Sequence, residues 1–405
     1  MISNKKQFFL LVLMLISTSF FGYSPLEPFK SMINALCVSF FWLFFIKQMV
    51  KLKKFNEGKL LIAYVLFFLL SCAYSVIVND QSPISLYQGI INYMGIMTFA
   101  YCCQNKIRYK EAKNVLLVFS VIFCFCYIIQ WIIYPSILFQ GAASDSWSEE
   151  RFRMRLPGSL GAFFIFLTGV EKLIDRKYLK APLFIILGGI PIIVMGFRSL
   201  TLITIIASIL FFLMKSKLNS KSILSAVVAI VAAFAISQTS IFNDKLEEMQ
   251  KRQETEQTFS NEDYIRWIEL DFYMDYYNKP GEWILGGGVP CGTSKYSQEI
   301  QGFLDMGLYW QDLGIVGLTF IIGIITVCIL VYWSLRMMAR CGHLDLGVER
   351  MTMFVALFGS IMTSMEYFRP GNFMIMGLLF YCEYIRNIEL GAPSNKFLLR
   401  KSDYC

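Results

Sequence analysis

Charge is scarce in this sequence. Lys, Arg, Asp and Glu make up 16% of its 405 residues, against 56% hydrophobic residues, and that balance excludes an ordinary soluble globular domain. Histidine is almost missing. The single one, His343, falls in a basic loop, so histidine-based catalysis would require that loop on the working face. The eleven cysteines form no CxxC pair. Cys37, Cys72, Cys124, Cys126 and Cys328 lie inside apolar runs, and neither the Cys102–Cys103 neighbours nor the CFC at 124–126 has a histidine at metal-ligand spacing. Neither a zinc site nor a disulfide framework is expected. The net charge of +8 reads as membrane topology and contact with anionic lipid, with no nucleic-acid signal in it.

Long apolar runs are what the chain has instead. Many approach the roughly 20 residues that cross a bilayer, and they are continuous rather than alternating, so they read as helices and not as barrel strands. The expected fold is an all-α polytopic membrane protein of about twelve transmembrane helices. Its spans are expected at 8–21, 32–50, 60–78, 86–103, 115–134, 156–170, 182–197, 199–214, 222–240, 310–334, 351–367 and 371–385. The run after Lys5 and Lys6 has the flavour of a signal peptide, but no small-x-small cleavage site follows it, and it reads as the first retained helix. The organisation is then nine helices over 1–240, a large external loop over 241–309, three helices over 310–390 and a tail over 391–405.

Alternate loops carry the basic residues: Lys47 to Lys59, Lys106 to Lys113, Lys172 to Lys180, Lys215 to Lys221, and Arg336 to Arg350. All fall on one side if the span count holds, which places both termini in the cytoplasm. One stretch tests this. From Pro182 to Met214 the chain is apolar apart from Arg198. A single helix there would be about 50 Å long, far more than a hydrocarbon core of about 30 Å requires, and it would put every later basic loop outside. A tight break near Gly196–Ser199 restores the charge rule and sets Arg198 at the outer face.

Three outer features hold the remaining polar interest. RFRMRLPG places Arg151, Arg153 and Arg155 on one face of an extended strand, an anion cradle, with a solvated loop or pairing to the acids of SDSWSEE as the competing reading. The turn SMEYFRPGN holds Glu366 and Arg369. In NEDYIRWIELDFYMDYYNKPGEWILGGGVP, Ile265, Ile268, Phe272 and Tyr276 have helical spacing over 262–277, with Arg266 on another face. Arg266 either meets a ligand or pairs with Glu262 or Glu269 along the helix. Lys279-Pro280-Gly281 stops that helix, and Gly286-Gly287-Gly288 permits a close backbone approach or a turn. Guanidinium groups bind phosphate bidentately and keep their charge, so outer arginines suit an anionic lipid headgroup. For Arg198, snorkelling to lipid phosphates is the alternative.

These features together resemble the O-antigen polymerase and ligase superfamily, bacterial inner-membrane glycosyltransferases with a GT-C-like helical fold. FRSLTLI at 197–203 resembles the family's arginine after an apolar helix. YIRWIEL with KPGEWILGGGVP resembles its loop arginine and the glycine stretch beyond, and DLGIVGLTF resembles the glycine pair at the next helix, through Gly314 and Gly317. Ligase members carry a histidine shortly before that pair. QGFLDMGLYWQDLGIVG has none, and Asp305 stands about where it would fall, with Glu299 and Asp312 nearby. The resemblance therefore implies a polymerase: a metal-independent glycosyltransferase without cofactor, moving a growing glycan from undecaprenyl diphosphate to a lipid-linked repeat unit on the external face. It implies Arg198 and Arg266 for the diphosphate, with Arg151, Arg153, Arg155 and Arg369 as lesser candidates, because a leaving diphosphate needs its charge met. Asp305, then Glu366, would take the acceptor proton. The implied partners are the undecaprenyl-diphosphate-linked oligosaccharide, membrane lipid and a chain-length regulator. Competing readings are an O-antigen ligase, a lipid-linked oligosaccharide flippase and a structural subunit. The flippase would favour an internal repeat and charges lining a central cavity.

Overall fold

The computed structural model of the chain describes residues 2, 4–134, 136–139, 156–196, 198–215, 265–277, 279–339, 346–361 and 371–389, with the side chains of 198, 265 and 280 outside the description. Among these residues every regular element is a helix. The order is α1 Lys5–Ser17, α2 Lys30–Leu52, α3 Asn56–Val78, α4 Pro83–Gly89, α5 Ile91–Met94, α6 Thr98–Asn105, α7 Tyr109–Ile133, α8 Leu160–Ile174, α9 Ala181–Val194 and α10 Arg198–Lys215. There follow α11 Ile265–Tyr276, α12 Pro280–Leu285, α13 Lys295–Asp305, α14 Gly314–Ile322, α15 Ile324–Ala339, α16 Val348–Gly359 and α17 Asn372–Glu389.

Three helical segments, Ser24–Leu52, Asn56–Val78 and Tyr109–Ile133, are long and apolar enough to cross a membrane, and α9, α10, α14 and α15 are shorter apolar helices. The outward faces are apolar too. Leu36, Phe40, Leu43, Ile46 and Val50 form an exposed stripe along α2, as Leu202, Ile205, Ile206, Ile209 and Leu213 do along α10. A soluble protein rarely exposes contiguous surface of this kind, whereas lipid accepts it.

The expected break at Gly196–Ser199 is present: α9 ends at Val194, Gly196 adopts φ +70°, and α10 begins at Arg198. Three other expected spans are broken rather than continuous. Residues 8–21 break after Ser17, where α1 ends and Ser19, Phe20 and Phe21 take positive φ. Residues 86–103 divide among α4, α5, a 3-10 turn at Gly95–Met97 and α6. Residues 310–334 divide at Gly323, φ +80°, into α14 and α15. The expected span 222–240 lies outside the described residues.

The basic loops collect at one end of the bundle. Lys6 Nζ donates to the Asn105 carbonyl at 3.0 Å, and the Tyr381 hydroxyl donates to the Ile107 carbonyl. A charge network there joins five helices. Lys113 of α7 lies 3.4 Å from Glu171 of α8 and 3.2 Å from Glu349 of α16. Lys215 of α10 lies 3.0 Å from Glu171, and in α17 Glu383 takes Arg350 of α16 at 2.7 Å and Arg386 at 3.3 Å. Glu349, Arg350 and Glu383 are fully buried. A second pair, Arg336 with the buried Glu57, joins α15 to α3 at 3.3 Å. At the opposite end Asn372 Oδ1 accepts from the Leu160 N–H, the first of α8, and its amide donates to Ser159 Oγ.

Removing one member of a buried pair leaves its partner uncompensated, at a cost of about 3–5 kcal/mol, while replacing both with apolar groups is close to neutral. Glu383 serves both Arg350 and Arg386, so Glu383→Leu, which strands two buried cations, should lower the thermal unfolding midpoint in detergent sharply, and adding Arg350→Met and Arg386→Met should recover much of the loss. A triple variant no better than the single one would contradict this account.

Candidate functional site

The site is built at the end opposite the basic network, where the segment 280–313 folds onto α3, α5 and the broken helix. Lys279-Pro280-Gly281 ends α11 as expected and also starts α12: Pro280 occupies its first turn and Glu282 accepts from the Lys279 N–H at 3.2 Å. The three glycines beyond are used for a close backbone crossing within the chain itself. Gly287 and Gly288 donate their N–H groups to the Phe320 and Ile321 carbonyls at 2.8 and 2.9 Å. These are the carbonyls that the break at Gly323 leaves without helical partners. Space is minimal: a Cβ on Gly286 would stand 2.4 Å from the Ile321 carbonyl oxygen, and one on Gly288, φ +90°, 2.1 Å from Ser75 Oγ. Two amides near the end of α3 finish the crossing. Asn79 donates to the Gly287 carbonyl at 2.6 Å, and Gln81 donates to the Val289 carbonyl at 3.0 Å and accepts from the Cys291 N–H at 3.0 Å.

Beneath α11 lies an aromatic layer. Tyr277 stacks on Phe320 with ring centroids 5.4 Å apart, and Phe272 meets Phe303 edge-on at 4.7 Å. The hydroxyls are occupied: Tyr273 donates to the Leu308 carbonyl at 2.9 Å, and Tyr277 and Tyr296 share a 2.7 Å bond. The buried face of α11 therefore runs through Glu269, Tyr273 and Tyr277, while Trp267 and Ile268 are exposed. The expected Ile265–Ile268–Phe272–Tyr276 stripe is rotated, because tyrosines with satisfied hydroxyls bury more surface than the isoleucine.

Between this assembly and α5 is a cavity of about 630 Å³. Its wall includes Tyr93, the 289–293 turn, Ser297, Gln298, Gln301, Asp305, Trp310 and Gln311. On α13 the residues at 298, 301 and 305 share one face by spacing. Asp305, at the end of α13, accepts from Gln301 Nε2 at 2.8 Å, and Gln298 Nε2 donates to the Thr293 carbonyl at 3.1 Å. A smaller cavity of about 210 Å³ at the basic end has mainly apolar walls, among them Ile107, Ile385 and Ile388. The larger one thus holds the polar side chains.

The structure places the expected residues unevenly. Asp305 lines the cavity. Arg266 lies in the first turn of α11, half-buried, three residues before Glu269, and its charge acts on that carboxyl; it is not among the residues lining the cavity. Arg198 opens α10, and its side chain lies outside the description. Arg151, Arg153, Arg155, Glu366, Arg369 and His343 lie outside the described residues. Glu299 is engaged elsewhere, accepting from the Tyr276 hydroxyl at 2.8 Å. Sequence reasoning missed Gln298 and Gln301, although their spacing to Asp305 would have placed all three on one helical face.

It also left Glu269 as no more than a helix partner for Arg266. Glu269 is buried, accepts from the Tyr309 N–H at 3.0 Å through Oε1, and has no hydrogen-bond partner at Oε2. Burial above all pushes its acid up to about 7, and the nearby Asp312 carboxylate adds to this, against the lowering effects of the Tyr309 N–H and Arg266.

Compared with models of known protein families and with the sequences of curated proteins, the chain matches none.

A carboxyl held above its unfolded value binds its proton more tightly in the fold. Its contribution is full below the unfolded glutamate range and is lost as pH rises through about 7. The unfolding midpoint should accordingly fall between about pH 4.5 and 7.5, and Glu269→Gln should flatten that decline. An unchanged slope in the variant would assign the pH dependence to other groups. Separately, Gly288→Ala should lower the midpoint markedly, since the residue has both a positive φ and no room for a Cβ.

Proposed function

We propose that this chain is a polysaccharide polymerase of a bacterial inner membrane, and that its reaction takes place at the cavity over α13. The observation that carries the reading is the cavity itself. A carboxylate and a row of amides line a space large enough for part of a glycan, at the end of the bundle opposite the basic loops. With the basic loops in the cytoplasm, this end is external, both termini are cytoplasmic, and about twelve spans in a GT-C-like arrangement account for the apolar runs.

In this reading the donor is a growing glycan on undecaprenyl diphosphate and the acceptor is a hydroxyl of a lipid-linked repeat unit. The bond from the donor's anomeric carbon to the phosphate oxygen breaks, and the carbon bonds to the acceptor oxygen. The acceptor proton passes to the Asp305 carboxylate, and the electron pair leaves with the diphosphate. Arg266 and Arg198 stand as the cations for that leaving group. Fixed guanidinium groups suit this task because they neutralise developing phosphate charge without changing protonation.

The test is the profile of surface polysaccharide in a strain deleted for the chain and complemented with variants. Deletion should collapse the long ladder to single repeat units. Asp305→Asn should reduce polymer by about a hundredfold or more, the usual worth of a positioned base, and Arg266→Ala and Arg198→Ala should shorten or abolish the ladder with normal protein levels in the membrane. Polymer retained on its lipid carrier would indicate a ligase instead. Repeat units trapped inside the cell would indicate a flippase, and an unchanged ladder on deletion would end the glycan reading.

A further inference from the structure

The wall of the larger cavity selects by hydrogen bonding more than by charge. Side-chain amides at Gln298, Gln301 and Gln311 both donate and accept. One N–H of Gln298 and one of Gln301 are already used inside the wall, on the Thr293 carbonyl and on Asp305. Those bonds hold the two amides in place while their carbonyl oxygens remain for a ligand. Trp310 and Gln311 close the inner wall, with the indole N–H and Gln311 Oε1 buried within it. A mixed set of donors and acceptors matches sugar hydroxyl and acetamido groups, which also do both. Asp305 is the one formal charge that α13 presents on this face, and it is negative. A carboxylated ligand would meet a like charge there and amides that cannot neutralise it.

We propose that the cavity takes an uncharged sugar unit bearing hydroxyl and acetamido groups, and that it turns away units carrying a carboxylate. This rests on reading the cavity as a glycan site, and it names the class of sugar placed there. Gln301 and Asp305 set the preference.

The experiment is equilibrium binding by saturation-transfer NMR with the full chain in lipid nanodiscs, using N,N′-diacetylchitobiose as the neutral probe and digalacturonic acid as the acidic one. The neutral disaccharide should bind at least about tenfold more tightly, the scale of one unfavourable charge contact. Gln301→Lys puts a cation one turn from Asp305 at an exposed position and should narrow or reverse the preference. Equal or tighter binding of the acidic probe by the unaltered chain overturns the proposal. So does binding of neither probe, and so does a preference that Gln301→Lys leaves unmoved. Binding is read without turnover, so an unchanged polysaccharide ladder on deletion would remove the polymerase reading while a measured sugar preference stood. A normal ladder effect with no neutral preference would remove this proposal alone.

Discussion

Phe320 and Ile321 end a helix inside an apolar bundle, where their carbonyls have no water to turn to. An unpaired backbone group in such surroundings is costly, so irregular chain survives there only where other protein satisfies it. The N–H groups of Gly287 and Gly288 do so, and the rest of the external end follows from that crossing. It can form only if the crossing strand has almost no side chains, which is why a Cβ at Gly286 or Gly288 would collide with Ile321 or Ser75. Once it forms, Asn79 and Gln81 hold the outgoing turn, α13 is set over α5, and the cavity is the space left between them. The glycine run is thus the close backbone approach on which the site is built.

The other end is held by different physics. Five helices meet there through ion pairs, in which Lys113, Lys215, Arg350 and Arg386 face Glu171, Asp175, Glu349 and Glu383. Glu349, Arg350 and Glu383 are fully buried, and pairing is what makes such burial tolerable. Apolar helices in an apolar medium gain little from packing oily faces together. Directional ion pairs can then fix which helix ends meet. The bundle is pinned at the basic end by charge and at the opposite end by backbone hydrogen bonds and glycine contacts.

Much of this architecture could be read from residue order. The helix break at Arg198 followed from length and loop charge, and among the described residues Lys113, Lys215 and Arg350 meet at one end of the bundle. The stop at Lys279-Pro280-Gly281 followed from proline and glycine chemistry. What escaped depended on tertiary contacts. Nothing local marks Gly323 as a break inside an apolar run, because the carbonyls it frees are satisfied by residues more than thirty positions earlier. The rotated face of α11 escaped for a related reason: tyrosine reads as a weak apolar residue until its hydroxyl has a partner. Of the candidate site, Asp305 was legible from its position, whereas the amides beside it carry no charge and attract no notice in a scan for ionisable groups.

Two acids near the cavity illustrate how burial divides roles. Asp305 ends an amphipathic helix, is itself exposed, and lines the cavity. Glu269 is shut inside α11, with one oxygen bound to the Tyr309 N–H and its acid pushed up by burial. A group so enclosed is poorly placed to meet a hydroxyl, but well placed to hold the chain at Tyr309, which carries Trp310 and Gln311 into the cavity wall. Of the two readings the sequence left open for Arg266, three residues before it, the structure carries the one within the helix: its charge acts on the Glu269 carboxyl. The helix that holds Glu269 thereby also fixes the chain that forms the cavity wall.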